Sequence, residues 1–116
     1  MVYKKAGVGT IIGDFIVKLR KRGLSVDAVY LFGSHAWGKP TKRSDIDVAV
    51  ISKRFKRWSD IKRIEFLSDI ARYVHPEMDV EIDAVGFTPD ELKNPSYFDL
   101  ACEILQKGKI IYKKAA

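Results

Sequence analysis

The stretch from Gly33 to Val50, GSHAWGKPTKRSDIDVAV, constrains this chain more than any other. It sets Asp45 and Asp47 one residue apart at the start of an apolar run that reads as a core strand. In a strand, side chains at i and i+2 share a face. Asp45 and Asp47 therefore point the same way, with Cβ atoms about 6–7 Å apart, while Ile46, Val48 and Val50 point into the core. Parallel carboxylates repel each other, and one tends to stay protonated unless a cation lies between them. A hard divalent ion takes oxygen ligands, and Mg²⁺ commonly joins one or two carboxylates to phosphates. An EF-hand loop is excluded, because Ala49 and Val50 stand where Asn or Asp and then Gly are needed.

Two further features bear on that pair. Gly33-Ser34 closes the preceding strand; glycine admits positive φ or a close backbone approach, and Ser34 offers a hydroxyl and an amide to a phosphate. A later alternating run, MDVEIDAVGF (78–87), sets Asp79, Glu81 and Asp83 on one strand face. A solvated sheet face accounts for Asp79 and Glu81. Phosphate donors on one strand end and oxygen ligands on the next suit phosphoryl or nucleotidyl transfer through two metal ions.

The remaining elements follow from periodicity. Ile12, Phe15, Ile16 and Leu19 predict a helix over 10–22, stopped by Gly23 after the basic turn KLRKR. Residues 26–32 and 45–51 read as strands, and Ser59-Asp60 opens a helix to about Val74, before His75-Pro76. Thr88-Pro89-Asp90-Glu91 is a capping box. A last helix runs to about Lys107, and KIIYK (109–113) reads as an edge strand. The expected fold is α/β (α+β), a sheet with helices packed against it, over one domain, 1–116. No apolar run reaches the roughly 18–20 residues of a membrane span, and MVYKKAGVGT lacks the order of a signal peptide. Cys102 is the single cysteine, which rules out an internal disulfide and fits a cytoplasmic location. One Asn and one Gln among many Lys, Arg and Glu resemble heat-adapted composition. The net charge of +6 is concentrated at 18–22, 39–43, 53–63 and 107–114, which fits either solvated faces or a polyanionic partner.

Gly33, Ser34, Ala36, Gly38, Ser44, Asp45, Ile46 and Asp47 resemble, in type and spacing, the signature of the DNA polymerase β-like nucleotidyltransferase superfamily. The closest likeness is to its minimal prokaryotic members. IDAVGFTPDEL resembles the family's third-carboxylate strand and helix start, which selects Asp83 with Glu81 as the alternative. ACEILQKGKIIYKK resembles the family's closing helix and strand. The resemblance implies a mixed sheet with helices on one face. It implies that Gly33 and Ser34, with Ser44, hold the triphosphate of ATP or another NTP, and that Lys42 and Arg43 steer phosphates. It further implies that Asp45, Asp47 and Asp83 are catalytic and hold two Mg²⁺ ions, with Mn²⁺ as a substitute. No acceptor-gripping domain is expected, so a partner would present the hydroxyl. For relatives of this type that partner is a helical HEPN toxin, with the nucleotidyltransferase as antitoxin. A non-catalytic neutralising or sensing subunit, nucleotide addition to RNA 3′ ends, and a homodimer are the other expectations. His35 and His75 are read as bystanders, Trp37 as a base-stacking or packing residue, and Cys102 as core.

Overall fold

The computed structural model describes residues 7–38, 45–76, 80–93 and 99–115. The elements are α1 (Val8–Lys21), β1 (Ala28–Phe32), α2 (Ser34–Trp37), β2 (Ile46–Ile51), a 3-10 turn (Lys53–Arg57), α3 (Asp60–Ala71), β3 (Ile82–Phe87), α4 (Pro89–Lys93), α5 (Leu100–Lys107) and β4 (Lys109–Lys113). The strand order is β3-β2-β1-β4. β2 runs parallel to β3, while β1 is antiparallel to both β2 and β4. The sheet is therefore mixed, and β4 is an edge strand, both as the sequence predicts.

The chain's local signals are used where they fall. Gly23 takes φ +89°, and the Gly23 and Leu24 amides donate to Arg20 and Leu19 carbonyls, the double bond of a Schellman stop. Ser59 Oγ accepts from the Lys62 amide and starts α3. Thr88 and Glu91 form the reciprocal capping box: the Thr88 amide donates to Glu91 Oε1 at 2.7 Å, and the Glu91 amide to Thr88 Oγ1 at 3.1 Å.

The two long helices, α1 and α3, share one face of the sheet. Ile12, Phe15, Leu19, Leu67 and Ile70 pack there on Val29, Leu31, Val48, Val50 and Ala84. The expectation of helices on one face alone needs correction. Phe32, Ala49 and Ile51 point the other way and are buried with Leu92 of α4 and Ala101 and Ile104 of α5. β2 is apolar on both faces beyond Asp47, so both faces need a cover. β3 begins at Ile82 rather than 78, and Asp79 lies outside the described residues. Cys102 is half-buried rather than core. Trp58 packs on Phe55 and Phe66, and Trp37, still 41% exposed, lies against Phe32.

Arg63 joins three of these pieces. Its side chain, 8% exposed, donates to the Phe55 carbonyl at 2.6 Å, the Gly86 carbonyl at 3.2 Å and Glu91 Oε1 at 2.7 Å. It thereby ties α3 to the 3-10 turn, to β3 and to the start of α4. Burial alone opposes ionisation of Glu91, but the bonds from Arg63 and Thr88 outweigh it and hold the carboxyl below its usual range. Glu91→Gln is expected to cost about 1–2 kcal/mol at neutral pH, because it removes a charge-assisted bond from a buried guanidinium while solvent screens the half-exposed partner. A carboxyl lowered on folding stabilises above its unfolded pKa, and the contribution is lost as pH falls through the folded one. The gap between wild type and variant in urea unfolding should therefore close under strong acid.

Candidate active site

The site grows from one row of the sheet. Phe32 pairs with Asp47, and Asp47 pairs with Asp83. A single row thus runs from the end of β1, through β2, to β3. Directly after Phe32 the chain turns at Gly33, with φ +73° and ψ −158°, a region essentially open only to glycine. A Cβ at Gly33 would collide with Asp47 Oδ2. The turn backbone is therefore pressed against the Asp47 carboxylate. The Ala36 and Trp37 amides return to the Gly33 carbonyl and Gly38 to Ser34, which folds 34–37 into one helical turn. Ser34 leads that turn, where amides have no acceptor within the helix.

Asp47 is half-buried, whereas Asp45 and Asp83 are exposed. Burial, then repulsion from Asp83 and from Asp45, pushes the Asp47 carboxyl above its ordinary value, with His35 pulling the other way. His35 is thus within electrostatic reach of the central carboxylate, which the sequence reading did not assign to it. Its place on the turn after Gly33 was the signal available.

Asp45 and Asp83 also border a cleft of about 610 Å³ with Glu81, Arg72, Tyr73 and His75, over an apolar floor that includes Ile11 and Ile82. His75 closes one wall, with Nε2 2.8 Å from Asp14 Oδ2 of α1. It is more than a helix-end residue, since it links α1 to the segment after α3. Glu81 precedes β3, and its carbonyl accepts the Ile46 amide. Lys42, Arg43 and Ser44 lie outside the described residues.

Register brings Asp45, Asp47 and Asp83 to one edge without closing them into a cage. Among the described residues, no three His, Cys, Asp or Glu side chains converge closely enough to hold a metal ion. The donor set is nevertheless all oxygen, and the central carboxylate is desolvated and repelled by both neighbours. A hard divalent cation, with phosphate oxygens completing its shell, suits such a set.

This geometry has counterparts. Residues 15–116 match the profile of the family described as Polymerase beta, Nucleotidyltransferase. The chain belongs to that family, and its class of chemistry is nucleotidyl transfer. It is 31% identical, over 108 residues, to a Methanocaldococcus jannaschii protein provisionally named protein adenylyltransferase, covering 92% of this chain and 73% of the relative. Among solved structures, it is similar to a toxin–antitoxin crystallised with AMP-PNP. That match has a TM-score of 0.59 and 26% identity, covering 88% of this chain and 73% of that one. The fold also recurs in a provisionally named nucleotidyltransferase from Sulfolobus solfataricus, with a TM-score of 0.56 and 20% identity over 97% of this chain and 94% of that one. Among the described residues, no helix is long and apolar enough to cross a membrane.

Two stability outcomes follow. Gly33→Ala is expected to lose about 1–3 kcal/mol from backbone strain alone, besides displacing Asp47, as read by thermal melts. Asp47→Asn is expected to be at least as stable as wild type at pH 7.5. An acid raised on folding binds its proton more tightly in the folded state, so its ionisation costs stability as pH rises through the raised value. The melting-point advantage of Asn should disappear below the ordinary aspartate value of 3.8.

Proposed function

We propose that this chain transfers AMP from ATP, with Mg²⁺, to a hydroxyl group on a partner protein. The observation that carries the reading is the row Phe32–Asp47–Asp83, with the Gly33 turn against its central carboxylate and Asp45 two residues before it. In this reading the triphosphate lies on the Gly33-Ser34 turn. Asp45, Asp47 and Asp83 hold two divalent ions, and Ser44, Lys42 and Arg43, which precede them in the sequence, assist the nucleotide. When bound, the ions would draw charge from the phosphates and favour the ionised acceptor. Asp83, on the exposed side, takes the proton of the acceptor hydroxyl. The hydroxyl oxygen bonds to the α-phosphorus, the bond to the bridging α–β oxygen breaks, and pyrophosphate leaves.

The protein acceptor is supported by the relative named for protein adenylylation, and the nucleotide and the partner by the toxin–antitoxin structure with AMP-PNP. In this reading the partner is a toxin of the helical HEPN type, and this chain acts as its antitoxin.

The test mixes the purified chain with Mg²⁺ and α-labelled ATP, with and without the protein encoded beside it. Label on the neighbour should fall by at least 100-fold in Asp45→Ala and in Asp47→Asn, with folding retained. Metal-dependent ATP binding without label on any protein would replace the reading with a neutralising or sensing subunit. Label on RNA 3′ ends instead would move the acceptor to nucleic acid.

A further inference from the structure

The catalytic edge does not absorb the chain's basic charge. The run KLRKR (18–22) closes α1, and the run KRFKR (53–57) forms the 3-10 turn after β2. Each carries four cations, all exposed. Although more than 30 residues apart in sequence, they meet in the fold. Arg54 Nη2 donates to the Gly23 carbonyl at 3.5 Å, and Ser52 Oγ to the Ser25 carbonyl at 2.6 Å. The end of β4 joins them. The Lys114 amide donates to the Asp27 carbonyl, and the Lys53 amide to Asp27 Oδ2. Exposed Lys53 and Lys114 thus both anchor on Asp27, with exposed Lys113 on the opposite side of β1, paired with Ala28. Of the carboxylates here, Asp27 is engaged by the Lys53 amide, Asp69 pairs with Arg22 at 3.2 Å, Asp60 starts α3, and Glu65 precedes Phe66 on that helix.

Within this pole lies a narrow cleft of about 200 Å³, flanked by Arg22 and Arg54, with Trp58 and Phe66 contributing to its lining. Cations spread over three elements track a repeating anion better than a single acidic side chain. A small aromatic-lined slot between two guanidiniums suits a base or sugar beside its phosphates. A duplex keeps its bases stacked inside and would offer this slot none. Asp47 and Lys53 lie at opposite ends of β2, about 15–20 Å apart by the strand rise. A ligand here is anchored away from the reacting atoms.

We infer that this basic pole is a binding site for single-stranded nucleic acid, separate from the carboxylate edge. It recognises the phosphodiester backbone, with the cleft taking one nucleoside. The test measures fluorescence anisotropy of the full chain with labelled 12-nucleotide RNA and DNA strands. Unlabelled duplex, polyglutamate and phosphatidylserine vesicles serve as competitors. With about five phosphates neutralised, affinity for the single strands should fall about 100-fold between 50 and 200 mM salt. Lys53→Gln with Arg54→Gln, and separately Lys113→Gln with Lys114→Gln, should each weaken binding at least tenfold and leave ATP binding unchanged. If one pair disturbs the fold, the other decides. A preference for RNA over DNA would assign the 2′-hydroxyl a role, and equal binding would assign the backbone alone; both support the site. Binding unchanged in both pairs, no binding at 50 mM salt, or equal competition by polyglutamate or vesicles would overturn it.

Discussion

The central constraint is the register of β2 between two neighbours of opposite direction. β1 fixes Asp47 opposite Phe32, and so beside the turn that follows; β3 fixes it opposite Asp83. Backbone hydrogen bonds hold this placement against the repulsion of the side chains, since a one-residue slip would exchange buried and exposed faces along both strands. Such a slip would turn Val48 and Val50, both fully buried, out of the α1–α3 side of the core. Thus the apolar half of β2 maintains the geometry of its acidic beginning. The cost falls on the Asp47 carboxyl, which burial and the repulsion of Asp83 and Asp45 push above its ordinary value.

The far end of the same strands is held by different means. Asp47 lies near the start of β2, whereas Arg63 bonds to the carbonyls of Gly86 at the end of β3 and Phe55 after β2. A guanidinium can serve three acceptors in fixed directions, which a hydrophobic contact cannot. Its Nε lacks a partner among the described residues, so the clamp is incompletely satisfied and leans on Glu91 for its counter-charge. The position has a packing logic. Arg63 falls four residues before Leu67 and seven before Ile70, on the buried stripe of α3, while Ile61 and Ile64 are exposed.

That pattern explains what was legible in the sequence and what was not. The alternation DIDVAV, the capping box at 88–91 and the glycine stop at 23 are local, and each appears where local physics puts it. Position 63 reads as one more cation in a basic run. Its burial depends on the carbonyls of Phe55 and Gly86, which only the folded chain brings together. The second covered face was half legible: the unbroken apolar run Val48–Ile51 calls for cover on both faces, but only the fold shows that α4 and α5 supply it. His35 drew no assignment because a helical turn of four residues has no periodicity to detect. Spacing alone did not separate Glu81 from Asp83; the resemblance favoured Asp83, and register pairs Asp83 with Asp47 and leaves Glu81 before the strand.

Charge is divided along the same axis. Carboxylates occupy one end of β2 and cations the other, about 15–20 Å away by the strand rise. The screening length at physiological salt is about 8 Å, so the two ends act nearly independently. The net charge of +6 therefore describes neither end. Among the described residues, the field at Asp47 is set by Asp83, Asp45 and His35, and two of these three repel a phosphate. A triphosphate brought to the Gly33 turn gains little from the distant lysines and meets a negative edge. In the proposed reading, divalent ions arriving with the nucleotide, together with Lys42 and Arg43, offset that negative edge. The basic pole needs no such offset and can hold a polyanion directly.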